Sequence, residues 1–183
     1  MKKYFVFMMA VCLSVLSSVA QSVSEPEFIG EVYLLTSDST FVKLKKETGG
    51  IKAKSGASAF VPMVGAVKSY LTLKGTESET RVAASTEPVQ LIIRCEDNDQ
   101  DPTDLITVMQ FEKKKKERRY MMSKVSVLGG ASMDGMSGLP YEAQRYGESS
   151  YKIVVSGLQT GEYGLMVSAG ESATFGIRTF GIE

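Results

Sequence analysis

The densest cluster of charged side chains in the sequence is a basic run near its middle. Residues 113–119 hold one glutamate, Glu117, and six cations: Lys113, Lys114, Lys115, Lys116, Arg118 and Arg119. Clustered lysines and arginines can bind the phosphate, sulfate or carboxylate groups of a polyanion through charge and hydrogen bonds. The same run could instead be the solvated tip of a hairpin, where lysines deter edge-to-edge aggregation of strands. The sequence leaves both interpretations open.

A second charged segment, residues 96–104, is acidic and rich in turn-forming residues. It contains Glu96, Asp97, Asp99, Asp101 and Asp104. Calcium favours such oxygen-rich loops, but an EF-hand is excluded because Pro102 takes the place of its glycine and Val108 that of its bidentate glutamate. A looser calcium site, or a carboxylate pair for glycoside hydrolysis, stays open as an alternative. The plainer interpretation is a solvated loop whose Asp and Asn residues favour turns.

Histidine is absent from the sequence, which excludes the usual serine and cysteine hydrolases because they need an imidazole base. Beyond the N-terminal segment Cys95 is the single cysteine, so a zinc shell of cysteine and histidine cannot form. Cys95 falls on the apolar face of a predicted strand, where we expect a buried thiol. We therefore expect no enzymatic activity and no cofactor.

The N-terminus has the three parts of an export signal. Lys2 and Lys3 precede an apolar run over residues 4–16, and Ser18 and Ala20 are the small residues that a signal peptidase reads. We predict a signal peptide at residues 1–20 and a mature domain at residues 21–183, exported to the periplasm or beyond the cell. Cys12 lies inside the apolar run and not at its end, so we do not expect lipidation. After signal removal no transmembrane span is expected.

Period-two alternation of apolar and polar residues dominates the mature chain, with Gly, Asp, Asn and Ser clusters between the runs. This pattern predicts an all-β fold, a two-layer antiparallel β-sandwich in one domain. Residues 49–58 and 129–138 are predicted as loops, and 141–146 fits either a strand or a short helical turn. The predicted strands are 28–35, 40–46, 64–73, 81–84, 89–95, 104–112, 120–128, 151–155, 162–168 and 173–180.

Residues 158–163 form a turn that leads directly into a strand. In immunoglobulin-like sandwiches a tyrosine at the start of a late strand bonds back to the backbone upstream and fixes the crossover between sheets. Leu158 would anchor this turn in the core, Gly161 would permit the backbone turn, and Tyr163 would make the bond. The spacing therefore predicts an immunoglobulin-like arrangement of the last strands.

Several short motifs occur together across the mature chain: Pro26-Glu27-Phe28, Lys68-Ser69, Ser78, Arg81-Val82, Gly161-Glu162-Tyr163 and Phe175-Gly176-Ile177. With the signal peptide, this set resembles a group of small exported β-sandwich proteins of uncharacterised function from Gram-negative bacteria. The resemblance implies an exported, non-catalytic domain and supplies no site residues.

These observations predict a binding or structural module of the cell envelope with an unknown envelope or extracellular partner. An anionic glycan or lipopolysaccharide would suit the basic run at 113–119, and export argues against nucleic acid. The alternative is a carbohydrate-active or calcium-dependent domain that uses the acidic residues 96–104.

Overall fold

The computed structural model describes residues 23–55, 66–126, 130–132, 138–168 and 176–183. The predicted signal peptide lies outside the described residues, as do parts of the predicted strands 64–73, 120–128 and 173–180 and of the predicted loops 49–58 and 129–138. The described residues form one helical turn, α1 (Pro102–Leu105), and fourteen strands: β1 (Val32–Leu35), β2 (Phe41–Lys43), β3 (Lys46–Thr48), β4 (Gly50–Ser55), β5 (Ala66–Lys74), β6 (Arg81–Val82), β7 (Val89–Arg94), β8 (Ile106–Lys113), β9 (Glu117–Ser126), β10 (Gly130–Ser132), β11 (Glu142–Tyr146), β12 (Ser150–Val155), β13 (Gly161–Val167) and β14 (Gly176–Ile182).

The strands assemble into two sheets. The smaller sheet has the order β11-β12-β7-β1-β2. The larger sheet has the order β3-β14-β13-β8-β9-β5-β4, with β10 paired to β9 and β6 paired to β14. The pairs within the described residues are antiparallel except β6 with β14, which is parallel. The predicted all-β, antiparallel fold is confirmed.

Alternating apolar side chains explain why the two sheets stack face to face. In β7, Leu91 and Ile93 point into a main core cluster that also takes Val108 from β8 and Phe180 from β14. Each of these four side chains is completely buried, and burying one stabilises the fold by roughly 1.5–3 kcal/mol. The cluster draws on both sheets, so the predicted two-layer sandwich is confirmed.

The larger sheet also folds back over its own outer face. Within the described residues β8 pairs with β9 only at Glu112 and Lys113, next to the hairpin turn. Met109 and Phe111 lie on the other face of β8 from Val108. There they pack against Leu71 of β5 in a second cluster. Strands β5 and β9 therefore pack against the outer side of β8, β13 and β14, so the larger sheet covers part of its own outer face.

The predicted strand 40–46 divides between the two sheets. Strand β2 belongs to the smaller sheet and β3 to the larger one. The crossing occurs at Leu44, which is completely buried and donates its backbone N–H to the carbonyl of Val32 at 2.9 Å. Alternation continues through such a crossing, so a single run in the sequence conceals a change of layer.

The prediction of a loop at 49–58 is wrong for residues 50–55, which form β4. This strand pairs along one side with β5, from Gly50 opposite Thr72 to Ser55 opposite Val67. Ile51 and Ala53 alternate with lysines in this strand but are exposed, because it is the last strand of its sheet. Gly49 precedes it where a Cβ would lie 2.5 Å from the side chain of Leu71, so glycine permits the close approach of this strand.

The prediction of a loop at 129–138 is wrong for residues 130–132, which form β10. The predicted strand 28–35 begins only at Val32, because Phe28 and Ile29 lie in an exposed turn that ends at Gly30 with φ +78°. The ambiguous segment 141–146 is a strand, β11, at the edge of the smaller sheet.

Candidate functional site

The basic run lies at the end of the β8–β9 hairpin. Residues 114–116 form the turn, and the backbone N–H of Lys114 donates to the carbonyl of Glu117 at 2.8 Å. The strands themselves extend into the run, since Lys113 pairs in register with Arg118. The six cations therefore divide between strand positions and a short turn.

Arg118 points inward and does not contribute to a solvated tip, because it is only 1% exposed. Its guanidinium donates to Glu47 Oε2 at 2.6 Å and to Ser78 Oγ at 2.7 Å. It also donates to the backbone carbonyls of Lys74 and Gly75, both at 3.4 Å. These bonds tie the start of β9 to β3 and to the segment that follows β5.

Arg119 is likewise engaged within the fold. Its Nε donates to Glu112 Oε2 at 2.7 Å, and its guanidinium carbon lies 4.6 Å from the centre of the Tyr70 ring. Hydrogen bonds from Arg119 and Lys114 hold the pKa of Glu112 below its usual value. The two arginines of the run thus fix the hairpin to the body of the protein.

Glu162 is the centre of the buried network around Arg118 and is itself 1% exposed. Its carboxylate accepts from the backbone N–H of Ser78 at 2.8 Å, from Ser78 Oγ at 2.6 Å and from Arg81 at 2.5 Å. Arg118 lies 3.7 Å away and Lys113 3.9 Å away. A buried charge needs such partners because desolvation is costly, and this carboxylate has three cations around it.

Arg81 links the network to the C-terminal residue through a 3.1 Å ion pair with Glu183. Burial by itself lowers the pKa of Arg81, but the hydrogen bonds with Glu162 and Glu183 outweigh it and raise the pKa above its usual value. Arg81 is therefore charged at neutral pH and is available to neutralise both carboxylates.

The lysines of the run fall into two groups. Lys113 donates to Glu77 at 3.1 Å, which lowers the pKa of Glu77, and Lys114 pairs with Glu112. Lys115 and Lys116 are exposed and form no ion pair with any residue that the structure describes. Lys74 is also exposed and forms no ion pair with the described residues. It lies close to Lys116, because the backbone N–H of Gly75 donates to the carbonyl of Lys116 at 3.1 Å.

A cleft of ≈ 790 Å³ opens next to these lysines, where β3, β4, β5 and the start of β9 meet. Lys74, Lys116 and Arg118 are among its lining residues. Its carboxylates are held by cations: Glu79 by Lys45 at 2.6 Å, Glu117 by Lys52, Glu47 by Arg118 and Glu77 by Lys113. The lining charges that remain unneutralised among the described residues are thus the positive charges of Lys74 and Lys116.

Two acidic residues of the segment 96–104 accept hydrogen bonds from nearby backbone N–H groups. Asp97 accepts the N–H of Asp99 at 3.1 Å, and Asp101 caps α1 by accepting from the Thr103 hydroxyl and N–H at 2.6 and 2.8 Å. These two bonds lower the pKa of Asp101. Asp99 lies 3.4 Å from Arg145. Across the described ranges, no group of three or more Asp, Glu, His or Cys side chains could hold a metal ion.

Cys95 is 3% exposed and belongs to the main core cluster, so the predicted burial of its thiol is confirmed. Burial, with a smaller contribution from the Asp97 charge, raises the pKa of this thiol from 9.0 to about 11. A thiol in this condition is protonated at neutral pH and is a poor nucleophile.

Tyr163 makes the backbone bond that its spacing predicts. Its hydroxyl donates to the carbonyl of Gln159 at 2.8 Å and accepts from the N–H of Gln159 at 3.1 Å. Leu158 packs against the main core cluster. The left-handed residue of this turn is Gly157, with φ +71°, and not Gly161, where a Cβ would meet only ordinary contacts from 3.5 Å. The predicted role of Gly161 is therefore taken by Gly157.

The sequence analysis missed the network of Glu47, Ser78, Arg81 and Glu162. Its members are far apart in the chain. Arg118, which bonds to this network, belongs to a basic run for which the sequence predicts exposure to solvent. One signal was available, since Glu162 is the single charged residue in the otherwise uncharged strand β13.

Comparison with protein-family models, curated proteins and solved structures finds no match for this chain. Among the described residues, no helix has both the length and the apolar character needed to cross a bilayer.

Proposed function

We propose that this chain is an exported, non-catalytic binding module of the cell envelope that holds a polyanion at the end of the β8–β9 hairpin. The ligand carries closely spaced phosphate, sulfate or carboxylate groups, as acidic glycans and lipopolysaccharide do. The observation that carries the proposal is the group of Lys74, Lys115 and Lys116, exposed side by side without ion-pair partners among the described residues. We call these three residues the lysine group.

The architecture beneath the lysine group favours binding over mere solubility. The buried bonds of Arg118 to Glu47 and Ser78 fix the start of β9 against β3 and the segment after β5. The backbones that carry Lys74 and Lys116 are joined through Gly75. A charge cluster on a rigid support loses less conformational entropy when it binds than one on a loose loop.

The acidic segment 96–104 does not compete for the lysine group within one molecule. That segment precedes β8 and the basic turn follows it, so the eight-residue strand separates them by roughly 25 Å. This spacing exceeds the Debye length of about 8 Å at physiological ionic strength. The positive charge at the hairpin end therefore stays available to an external ligand.

A binding role without catalysis agrees with the chemistry at hand. The sequence has no histidine, and the carboxylates that line the cleft are paired with cations, whereas a general base needs an available carboxylate or imidazole. The predicted signal peptide and the resemblance to small exported β-sandwich proteins support a place in the envelope. The bond of Tyr163 to the turn before β13 supports an immunoglobulin-like arrangement of the last strands.

Retention on a heparin column tests the proposal. The mature protein should elute at higher salt than the variant Lys74→Gln/Lys116→Gln, because exposed charge contacts are additive and screened by salt. The matched control is Arg145→Gln/Lys152→Gln, which removes the same charge from β11 and β12 of the other sheet and should elute with the parent. Elution of all three proteins together, or an equal shift in both variants, would contradict a specific site.

A second column that carries immobilised lipopolysaccharide separates the two sources of anionic groups. Retention of the parent on both columns, with the same loss in Lys74→Gln/Lys116→Gln, would indicate that charge density alone is recognised. Retention on lipopolysaccharide alone would assign the ligand to its phosphorylated core. Retention on neither column would refute the proposed function.

A further inference from the structure

The end of the sandwich next to the turn before β13 contains a pocket of ≈ 300 Å³ that is distinct from the cleft. Its apolar lining comes from both sheets and from their connections: Leu34, Val82, Val89, Leu158 and Ile182. Leu34 and Ile182 are members of the main core cluster, at 2% and 3% exposure, and the other three pack against it. The pocket thus opens directly onto the hydrophobic core.

The rim of this pocket is polar and acidic. Ser37, Asp38, Ser85 and Glu87 contribute to it, and no lysine or arginine is among the described residues that line it. Asp38 and Glu87 are exposed, and neither forms an ion pair within the part of the chain that the structure describes. Two unneutralised carboxylates above an apolar floor favour a ligand that has a positive charge attached to an apolar group.

The walls of the pocket are fixed by hydrogen bonds before any ligand arrives. On one side, the Thr40 hydroxyl bonds to the hydroxyls of Thr36 and Ser37 at 2.8 and 2.6 Å. On the other, the N–H of Ala84 donates to the carbonyl of Glu183 at 2.6 Å. The Tyr163 hydroxyl holds the turn that carries Leu158. A preformed pocket requires little ordering on binding.

We propose that this pocket binds a small amine with a short alkyl chain, with the chain inserted between the two sheets and the ammonium group at Asp38 and Glu87. A volume of ≈ 300 Å³ is at the lower end of the range of small-molecule sites, about 300–1,000 Å³, so the alkyl chain must be short. This site is independent of the lysine group, which lies on other residues and prefers the opposite charge.

Methyl NMR titration of the mature protein with hexylammonium, hexan-1-ol and hexanoate tests the inference. Hexylammonium should shift the methyl signals of Leu34, Val82 and Leu158 in a saturable way. It should bind about two- to thirtyfold more tightly than hexan-1-ol, because each of two exposed carboxylates contributes about 0.2–1 kcal/mol. Hexanoate should bind most weakly. Equal shifts with hexylammonium and hexanoate, or no saturable shift with hexylammonium, would overturn the proposal.

Two variants separate the apolar and the charged contributions. Ala83→Trp places a large ring at an exposed lining position and should abolish binding of all three probes while the rest of the spectrum is unchanged. Asp38→Asn/Glu87→Gln should bind hexylammonium and hexan-1-ol equally. Undiminished binding by Ala83→Trp would place the probe elsewhere and refute the site. A persistent preference for the amine in Asp38→Asn/Glu87→Gln would refute the role of the carboxylates.

Discussion

The hydroxyl of Tyr163 satisfies both backbone groups of Gln159, since it donates to the carbonyl at 2.8 Å and accepts from the N–H at 3.1 Å. Gln159 lies in the connection from β12 of the smaller sheet to β13 of the larger sheet. A single side chain therefore fixes the path of the chain between the two layers, and Tyr163 itself is 1% exposed.

Removal of this hydroxyl should destabilise the protein. Tyr163→Phe leaves the ring in the core but deprives Gln159 of its partner, and the loss of such a bond costs about 1–3 kcal/mol. Urea unfolding of the mature protein measures the change. Tyr33→Phe is the matched control, because the Tyr33 hydroxyl makes no hydrogen bond with the described residues. Equal urea midpoints for the two variants would reduce Tyr163 to an ordinary core residue.

Truncation of Glu162 should be the most damaging single change in the charged network. Glu162→Ala removes the acceptor of Ser78 and Arg81 and the second carboxylate beside the buried guanidinium of Arg118, and breaking a buried pair on one side costs about 3–5 kcal/mol. Glu79→Ala removes an exposed pair with Lys45 and should change the free energy of unfolding far less, because solvent screens exposed charges. A loss of similar size in both variants, measured by urea unfolding, would show that the network contributes no more than a surface pair.

The Cys95 thiol should be unreactive in the folded protein at pH 8 and should react with a thiol reagent after denaturation in urea. Only the thiolate reacts, and the folded state raises the pKa of this group to about 11. The reaction is followed by absorbance of the released chromophore. Fast labelling of the native protein would mean that the side chain of Cys95 points away from the core.

The same pKa shift predicts a loss of stability at high pH. The folded protein binds the thiol proton more tightly than the unfolded chain does, so this contribution is complete below about pH 9 and is lost as the pH rises toward about 11. We expect the stability difference between the parent and Cys95→Ala to be larger at pH 8 than at pH 11. Identical differences at the two pH values would contradict the burial of the thiol.

Cleavage of the signal peptide is tested separately from folding. Expression of the full sequence in a Gram-negative host should yield envelope protein whose intact mass corresponds to a chain that begins at Gln21. A mass that includes residues 1–20, or a lipid mass on Cys12, would overturn the proposed export route and with it the choice of envelope ligands.

Local alternation and turn chemistry could be read from the sequence, whereas pairing between distant segments could not. The inward positions of Leu91 in β7 and of Cys95 directly after it follow from a period of two, and the bond of Tyr163 follows from its spacing to the turn. In β4 the alternation of Ile51 and Ala53 with lysines marks no buried face, because Ile51 is exposed and main-chain bonds to β5 hold the strand at the edge of the sheet. The partnership of Arg118 with Glu162 depends on the bend of the larger sheet, which no local signal encodes.

Opposite charges at the two ends of β8 form an electric dipole along that strand. The acidic segment 96–104 lies before its first residue and the lysine group beyond its last. Near an anionic surface this dipole produces a torque that turns the hairpin end toward the surface before contact, within the Debye length of about 8 Å at physiological salt. The protein would then meet such a surface in one preferred orientation, with the acidic end and its short helical turn facing away.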